Sequence, residues 1–410
     1  MKKIGLLHYA YPPNIGGVEM LIREHAKILS EMDYEISVIS GNGEEKNPKI
    51  NFVRIEEIQS IIRFNPQLYE KIVEKGIIDN DFYSLAQNIK NKIEPYLDNL
   101  DVVIVHNMMT LIHNLPFIYF LKDYIKKNST KKFFFWTHDQ TYINGETILK
   151  EKEGVNLNPE EKKLLMEPVE KASYIAISET FKELLCQVMP IPKNKVQVIS
   201  NGIDLKKFLE IDESIWRIVN EKQLLYNFPL IFSPVNILYR KSLDYCLDIV
   251  FFLKKHYPDI KYIISGQTSA HRKNLGYYET LLKKITQLKL KDNVIFLKDY
   301  LNRFLENSEI HDLYDLSDLV FFFSKSENFG LPLLEAALTN TPAFVSNLKV
   351  FKEIGGNNLL SVDINKQTAE QTASFIKNFL ETDKIIQLKK SAKQKYNLET
   401  IIKEKLLPLI

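Results

Sequence analysis

A chain of 410 residues exceeds one ordinary core, so two domains are expected. Apolar residues make up 45% of it, the range of soluble globular proteins, which excludes extended disorder. The 54 basic side chains against 52 acidic ones leave a net charge of +2, which gives no support to a nucleic-acid partner.

The chain begins with a short apolar stretch at Ile4–Leu7 that is soon followed by Tyr11-Pro12-Pro13. This is too short for a signal peptide, and no run approaches the ~20 apolar residues of a membrane span. A cytoplasmic protein is expected, with a peripheral place at the inner membrane face left open. Ile4–His8, Glu35–Ser40, Val102–His106, Lys132–Thr137, Tyr174–Ser178 and Val196–Ser200 read as strands. They lack strict polar alternation, which implies burial on both faces and a parallel sheet covered by helices. Glu19–Met32 and Asn114–Lys127 carry helical spacing.

Asp79-Asn80-Asp81 matches the Asp-x-Asp pattern of metal-dependent transferases. A chain of this length yields about one such match by chance. It lies in a polar stretch and reads as a loop, so no metal site is assigned. Lys122, Lys126, Lys127, Lys131 and Lys132 cluster around a helix end, where positive charge complements the helix dipole. The sharper alternative is contact with an anionic lipid headgroup. Trp136-Thr137-His138 ends a buried strand, and His138 there can donate to a sugar hydroxyl. His106 is a weaker candidate for the acceptor side. Tyr9, Tyr11 and Tyr142 are candidates for stacking on an acceptor sugar. Cys186 and Cys246 form no Cys-x-x-Cys pair, so neither a zinc site nor a disulfide framework is indicated.

The alternation restarts beyond a join at Asn201–Phe208. Leu230–Pro234, Lys261–Gly266, Asn293–Leu297, Leu319–Ser324 and Thr341–Ser346 read as strands, with Ser242–His256 and Tyr277–Leu288 as helices. Two doubly wound α/β domains follow, 1–205 and 206–390, with a C-terminal helix within 391–410. Ligands in such sheets bind outside the carboxyl ends of the strands, so a cleft between two facing sheets is the default site.

The strongest signal is Ser326-Glu327-Asn328-Phe329-Gly330-Leu331-Pro332, running on to Glu335. Gly330 permits close backbone approach and Pro332 suits the first helical position. Free N–H groups near Phe329, Gly330 and Leu331 can hold a diphosphate. Glu335, one turn into the helix, can accept from a ribose diol. Arg240-Lys241 follows a strand, where both charges can neutralise a departing diphosphate. Gly16-Gly17 before the first long helix allows close phosphate approach.

These segments resemble glycosyltransferase family four, the large retaining GT-B group, over nearly the whole chain. Glu327 and Glu335 are separated by seven residues, with Phe-Gly and Pro between. Tyr11-Pro12-Pro13-Asn14-Ile15-Gly16-Gly17-Val18-Glu19 looks like the family's Gly-Gly loop, and Ser200-Asn201-Gly202-Ile203-Asp204 like its interdomain segment. Ile263-Ile264-Ser265-Gly266 resembles the strand that ends in a glycine beside the nucleotide. The resemblance implies the GT-B fold, two Rossmann-like domains facing across a cleft. It also implies a nucleotide-diphosphate sugar donor, transfer of a hexose with retention by a front-face route, and no required cofactor. It implies that His138 contacts the donor sugar with Glu327, and that Asp299–Leu301, with Tyr300, flanks the base. The acceptor is a sugar, a glycolipid or a polyol; no motif names it, nor an oligomeric state. The family usually places another Arg several residues before Lys241, where this chain has Pro234-Val235-Asn236. A non-catalytic partner subunit, and an epimerase or phosphorylase on the same fold, remain as alternatives.

Overall fold

β1 (Lys3–His8), β2 (Glu35–Ser40), β3 (Ile50–Arg54), β4 (Val102–His106), β5 (Lys132–Thr137), β6 (Ala172–Ala176) and β7 (Val196–Val198) form a seven-stranded sheet. Its order is β3-β2-β1-β4-β5-β6-β7, and every pair is parallel. β8 (Leu230–Ser233), β9 (Lys261–Ile264), β10 (Val294–Phe296), β11 (Leu319–Phe322), β12 (Ala343–Ser346) and β13 (Leu360–Val362) form a six-stranded parallel sheet, ordered β10-β9-β8-β11-β12-β13. The computed structural model describes residues 1–13, 16–128, 130–141, 158–267, 276–301 and 303–410; Asn14, Ile15 and Tyr142, singled out above, lie outside them.

Chain division follows the two sheets. One compact unit comprises Met1–Gly202 with Leu398–Ile410, the other Ile203–Asn397. The expected strands are present but several end one or two residues early, because polar ends such as Ser178 and Ser200 leave the ladder. The chain rejoins the first unit at Leu398 rather than at 391. Helix Lys384–Lys395 stays with the second unit, tied by Ile386 in its core and by a buried Lys393–Asp318 ion pair of 2.7 Å.

The apolar runs become interior strands because both faces are covered. On β4, Val103 and Val105 join one core with Phe133 and Phe135 of β5. Val102 and Ile104 join the opposite core with Phe134 and Trp136. Helices Asn80–Asp98 and Leu115–Lys127 cover the first face. Helix Gly17–Ser30 and the segment from Leu398 cover the second. Each large side chain buried here stabilises the fold by about 1.5–3 kcal/mol.

Asp79-Asn80-Asp81 is not a loop. The Asp79 side chain accepts from Asp81 N and caps helix Asn80–Asp98, while Lys71 pairs with both aspartates. A capping carboxylate meets otherwise unpaired N–H groups, which is why the polar stretch starts a helix. Among the described residues no helix is long and apolar enough to cross a membrane.

The order of each sheet reverses beside its first strand: β1 lies between β2 and β4, β8 between β9 and β11. Such switch points open a crevice at the carboxyl ends of the strands. The loops after β1, β4 and β5 in one unit, and after β8 and β11 in the other, carry most of the candidate residues, with Gly266 after β9 and Tyr300 after β10.

Candidate active site

In the second unit, the turn Tyr239–Lys241 follows β8 and the loop Ser324–Gly330 follows β11. Lys325 N donates to Arg240 O at 2.7 Å and ties the two together. One carboxylate oxygen, Glu327 Oε1, accepts from Ser324 Oγ at 2.7 Å, from Arg240 Nη1 at 2.9 Å and from Lys241 Nζ. Arg240 Nη1 also donates to Ser326 O at 3.2 Å. Burial acts to raise the Glu327 pKa, but the hydrogen bonds from Lys241 and Ser324 outweigh it and hold the carboxyl below its ordinary value. Lys241 is buried and lies 4.7 Å from the Phe322 ring centroid. Desolvation lowers its pKa, and Glu327 offsets this only in part.

Gly330 takes φ 141°, and a Cβ there would stand 2.7 Å from Phe351 Cε1, so only glycine fits. It caps helix Leu331–Leu338, in which Pro332 occupies the second position, not the expected first. Leu331 starts the helix because Gly330 makes the turn, and the missing N–H of Pro332 still falls among the unpaired first-turn groups. Arg240, Lys241, Glu327, Phe329, Gly330 and Leu331 line a cavity of about 530 Å³. Two cations and a helix N-terminus at one opening suit an anion.

Glu335 and Gly266 do not line this cavity, nor does Tyr300. Glu335 Oε2 accepts from Tyr314 OH at 2.8 Å. Burial, then Glu335, raises the Tyr314 pKa, so the phenol remains a donor. Tyr314 was not singled out from the sequence; nothing distinguishes it there from the other tyrosines. Gly266 is required by close packing, since a Cβ would lie 2.2 Å from Val235 O. Asn236, where the resemblance implies arginine, accepts from Gln267 N at 3.2 Å and so holds the loops after β8 and β9 together. The Tyr300 ring lies under Lys222 Nζ at 4.7 Å.

In the first unit, Gly16 caps helix Gly17–Ser30 in extended backbone. Gly17 lines a cavity of about 390 Å³ with His8, Glu19, Asn107 and His113. His8 Nδ1 donates to His106 O at 2.7 Å and its Nε2 stands 3.8 Å from Glu19 Oε1. The nearby His8 ring is the largest influence on Glu19, whose pKa is lowered. His138 follows β5, with Nε2 at 3.3 Å from His106 Nδ1. Burial lowers the His138 pKa to about 3, so the ring is neutral near pH 7.

Two expectations fail here. His106 is fully buried against Trp136, with ring centroids 5.2 Å apart, and lines no surface. Tyr11 is fully buried beside Phe52 and donates to Glu45, so it cannot stack on an acceptor. Tyr9 does line the cavity beside Gly17, with its hydroxyl donating to Met108 O at 3.1 Å. Four lysines of the cluster are engaged by protein: Lys122 donates to Glu167 O, Lys127 to Asp123, Lys131 to Asp98 O and Leu100 O, and Lys132 to Leu409 O. Among the described residues no group of three or more His, Cys, Asp or Glu is placed to hold a metal ion.

Residues 15–207 match Glycosyltransferase Family 4, and residues 215–398 match Glycosyl transferases group 1. Mannosylglucosylglycerate synthase of Petrotoga mobilis is 24% identical over 386 residues, 86% of this chain and 84% of that protein. The uncharacterised glycosyltransferase MJ1607 of Methanocaldococcus jannaschii is 25% identical over 250 residues, 57% of this chain and 59% of that protein. The O-antigen chain mannosyltransferase RfbU of Salmonella typhimurium is 24% identical over 225 residues, 52% of this chain and 53% of that protein. The chain thus spans little more than half the length of these last two relatives. Among solved structures, HepE of Anabaena in complex with UDP and glucose aligns with 98% of this chain and 95% of its own, at 16% identity and a TM-score of 0.35.

Proposed function

The chain belongs to the GT-B glycosyltransferases of the family-four kind, and from that premise we propose that it moves a hexose from a nucleotide-diphosphate sugar to an acceptor hydroxyl with retention. The observation that carries this reading is the joint placement of Arg240, Lys241 and the Gly330 helix start around one cavity.

Negative charge grows on the diphosphate as the bond from the sugar to its oxygen breaks. Arg240, Lys241 and the N–H groups near Gly330 meet that charge, and electrostatic stabilisation of this kind is usually the largest catalytic contribution. Glu327 already holds both cations. A diphosphate at the same opening takes over that role and leaves the carboxylate to orient the sugar hydroxyls. The leaving phosphate oxygen takes the acceptor proton on the front face, so no protein nucleophile is required. His138, neutral, donates to the donor sugar. Glu335, steadied by Tyr314, accepts from the ribose. The reading assigns no cofactor. The acceptor is a sugar, a glycolipid or a polyol.

A thermal-shift screen against UDP-, GDP- and ADP-sugars tests it. A bound ligand stabilises the native state by mass action, so one base should raise the melting temperature. Nucleotide diphosphate should then be released in the presence of an acceptor, and the product anomer should match the donor. Absence of stabilisation by any nucleotide sugar sinks the reading. Binding without turnover on any acceptor favours a non-catalytic partner subunit.

A further inference from the structure

We propose that His106 is a positioning residue that fixes the tautomer of His138, so that His138 presents Nδ1–H as a neutral donor to a hydroxyl of the bound sugar. The inference rests on the transferase reading and deepens it.

His106 ends β4 and is fully buried. Its ring stacks on Trp136 at 5.2 Å and on His138 at 5.6 Å, with interplanar angles of 21° and 25°. The contact between His106 Nδ1 and His138 Nε2, at 3.3 Å, has room for one proton, so one ring donates and the other accepts. The surroundings decide which. His106 Nε2 is buried with no hydrogen-bond partner among the described residues, as is the indole Nε1 of Trp136. Indole is a donor only, so Trp136 offers no acceptor to a proton on His106 Nε2. Orphaned buried N–H groups are rarer than orphaned acceptors. The proton therefore sits on His106 Nδ1 and is donated to His138 Nε2. His138 must then carry its own proton on Nδ1, which has no partner among the described residues in a half-buried ring.

The backbone is held from the same place. Asn107 Oδ1 accepts from His138 N at 3.1 Å and from Asp139 N at 2.7 Å, while Asn107 N donates to Trp136 O at 2.9 Å. Asn107 adopts φ 56°, a conformation asparagine tolerates. The pair His106-Asn107 thus sets both the ring and the main chain of His138. His106 contacts it directly, and burial is the main cause that disfavours its protonation. Neutrality suits the reaction. A cationic imidazolium would repel the positive charge that develops on the sugar ring, whereas a neutral N–H orients a hydroxyl without that cost.

Two measurements test this. In the full chain labelled with ¹⁵N-histidine, long-range proton–nitrogen couplings should show the Nδ1–H tautomer for both His106 and His138. An Nε2–H tautomer at either ring overturns the proposal, whether or not the chain transfers sugar. For turnover, His106→Asn places an amide N–H near the Nδ1 position, and His106→Phe keeps the stacked ring but removes the donor. Expected is near-normal kcat for His106→Asn and a kcat lowered about tenfold or more for His106→Phe, the scale of a lost orienting partner. KM for the nucleotide sugar and the melting temperature should change little in either. Full kcat in His106→Phe, or equal loss in both variants, overturns the positioning role. A wild-type chain that transfers no sugar overturns the transferase reading instead, while the coupling experiment still decides the tautomer.

Discussion

Arg240 and Lys241 are neighbours with different surroundings: Lys241 is 9% exposed and Arg240 46%. Lys241 is fixed by burial and by Glu327, whereas Arg240 keeps most of its fork of donors free. A charge aimed at a leaving group acts mainly in the transition state, so its removal should lower turnover more than binding. Arg240→Ala is expected to cut kcat by about a hundredfold, with Arg240→Lys recovering part because lysine lacks the planar fork. Steady-state kinetics check this, and wild-type turnover in Arg240→Ala would end the clamp. Restoring an arginine at position 236 loses the bond from Gln267 N to Asn236 Oδ1, a contribution of about 1 kcal/mol to the loop. At this scale the sequence is legible where a site is built from contiguous residues. Glu327, Gly330 and Leu331 share one short segment, and Arg240-Lys241 another. Tyr314 was not legible, because its contact with Glu335 is made across helix packing that no local pattern encodes.

The elements that carry His8, His25, His106 and His138 pack four imidazoles around Trp136 and the end of β4. His25, on helix Gly17–Ser30, is 1% exposed and neither ring nitrogen has a partner among the described residues. Burial lowers its pKa from 6.5 to about 3. The unfolded chain therefore binds a proton that the folded chain refuses. The sign follows: stability is intact above pH 6.5 and falls as pH drops from there towards 3. At pH 4.5 this one histidine should cost roughly 2–3 kcal/mol. Denaturant unfolding at pH 7.5 and 4.5 should show a smaller acid loss in His25→Phe than in wild type, by about that amount. An equal loss in both proteins would mean that His25 protonates freely in the fold. Elements were legible where both faces are buried, as in β4 and β5. β3 was missed because it is an edge strand with exposed Asn51 and Arg54; the short edge strand β13, Leu360–Val362, was missed too. Helix Asn80–Asp98 was hidden by its polar start, although Phe82, Leu85, Ala86, Ile89, Ile93 and Leu97 form a buried stripe at helical spacing.

Across the whole molecule the chain crosses between its units twice, after Gly202 and after Asn397. The return contributes Leu398, Ile401, Ile402 and Leu406 to the core that also holds Ile4, Leu6 and Trp136. Lys132 Nζ donates to Leu409 O at 2.9 Å and fixes the end of this segment on the same unit. A residue late in the sequence should therefore govern the stability of the first unit and not of the second. The two tryptophans make this measurable, since Trp136 lies in the first unit and Trp216 in the second. Ile402 is fully buried, and Ile402→Ala should destabilise its unit by roughly 2–5 kcal/mol through lost transfer energy plus a cavity. With 5-fluorotryptophan each unit gives its own ¹⁹F resonance. In a denaturant titration the Trp136 signal should lose its native position at lower denaturant in the variant, while the Trp216 midpoint stays where it is in wild type. Equal movement of both midpoints would show that the units unfold as one cooperative body. Movement of Trp216 alone would show that the C-terminal segment supports the other core.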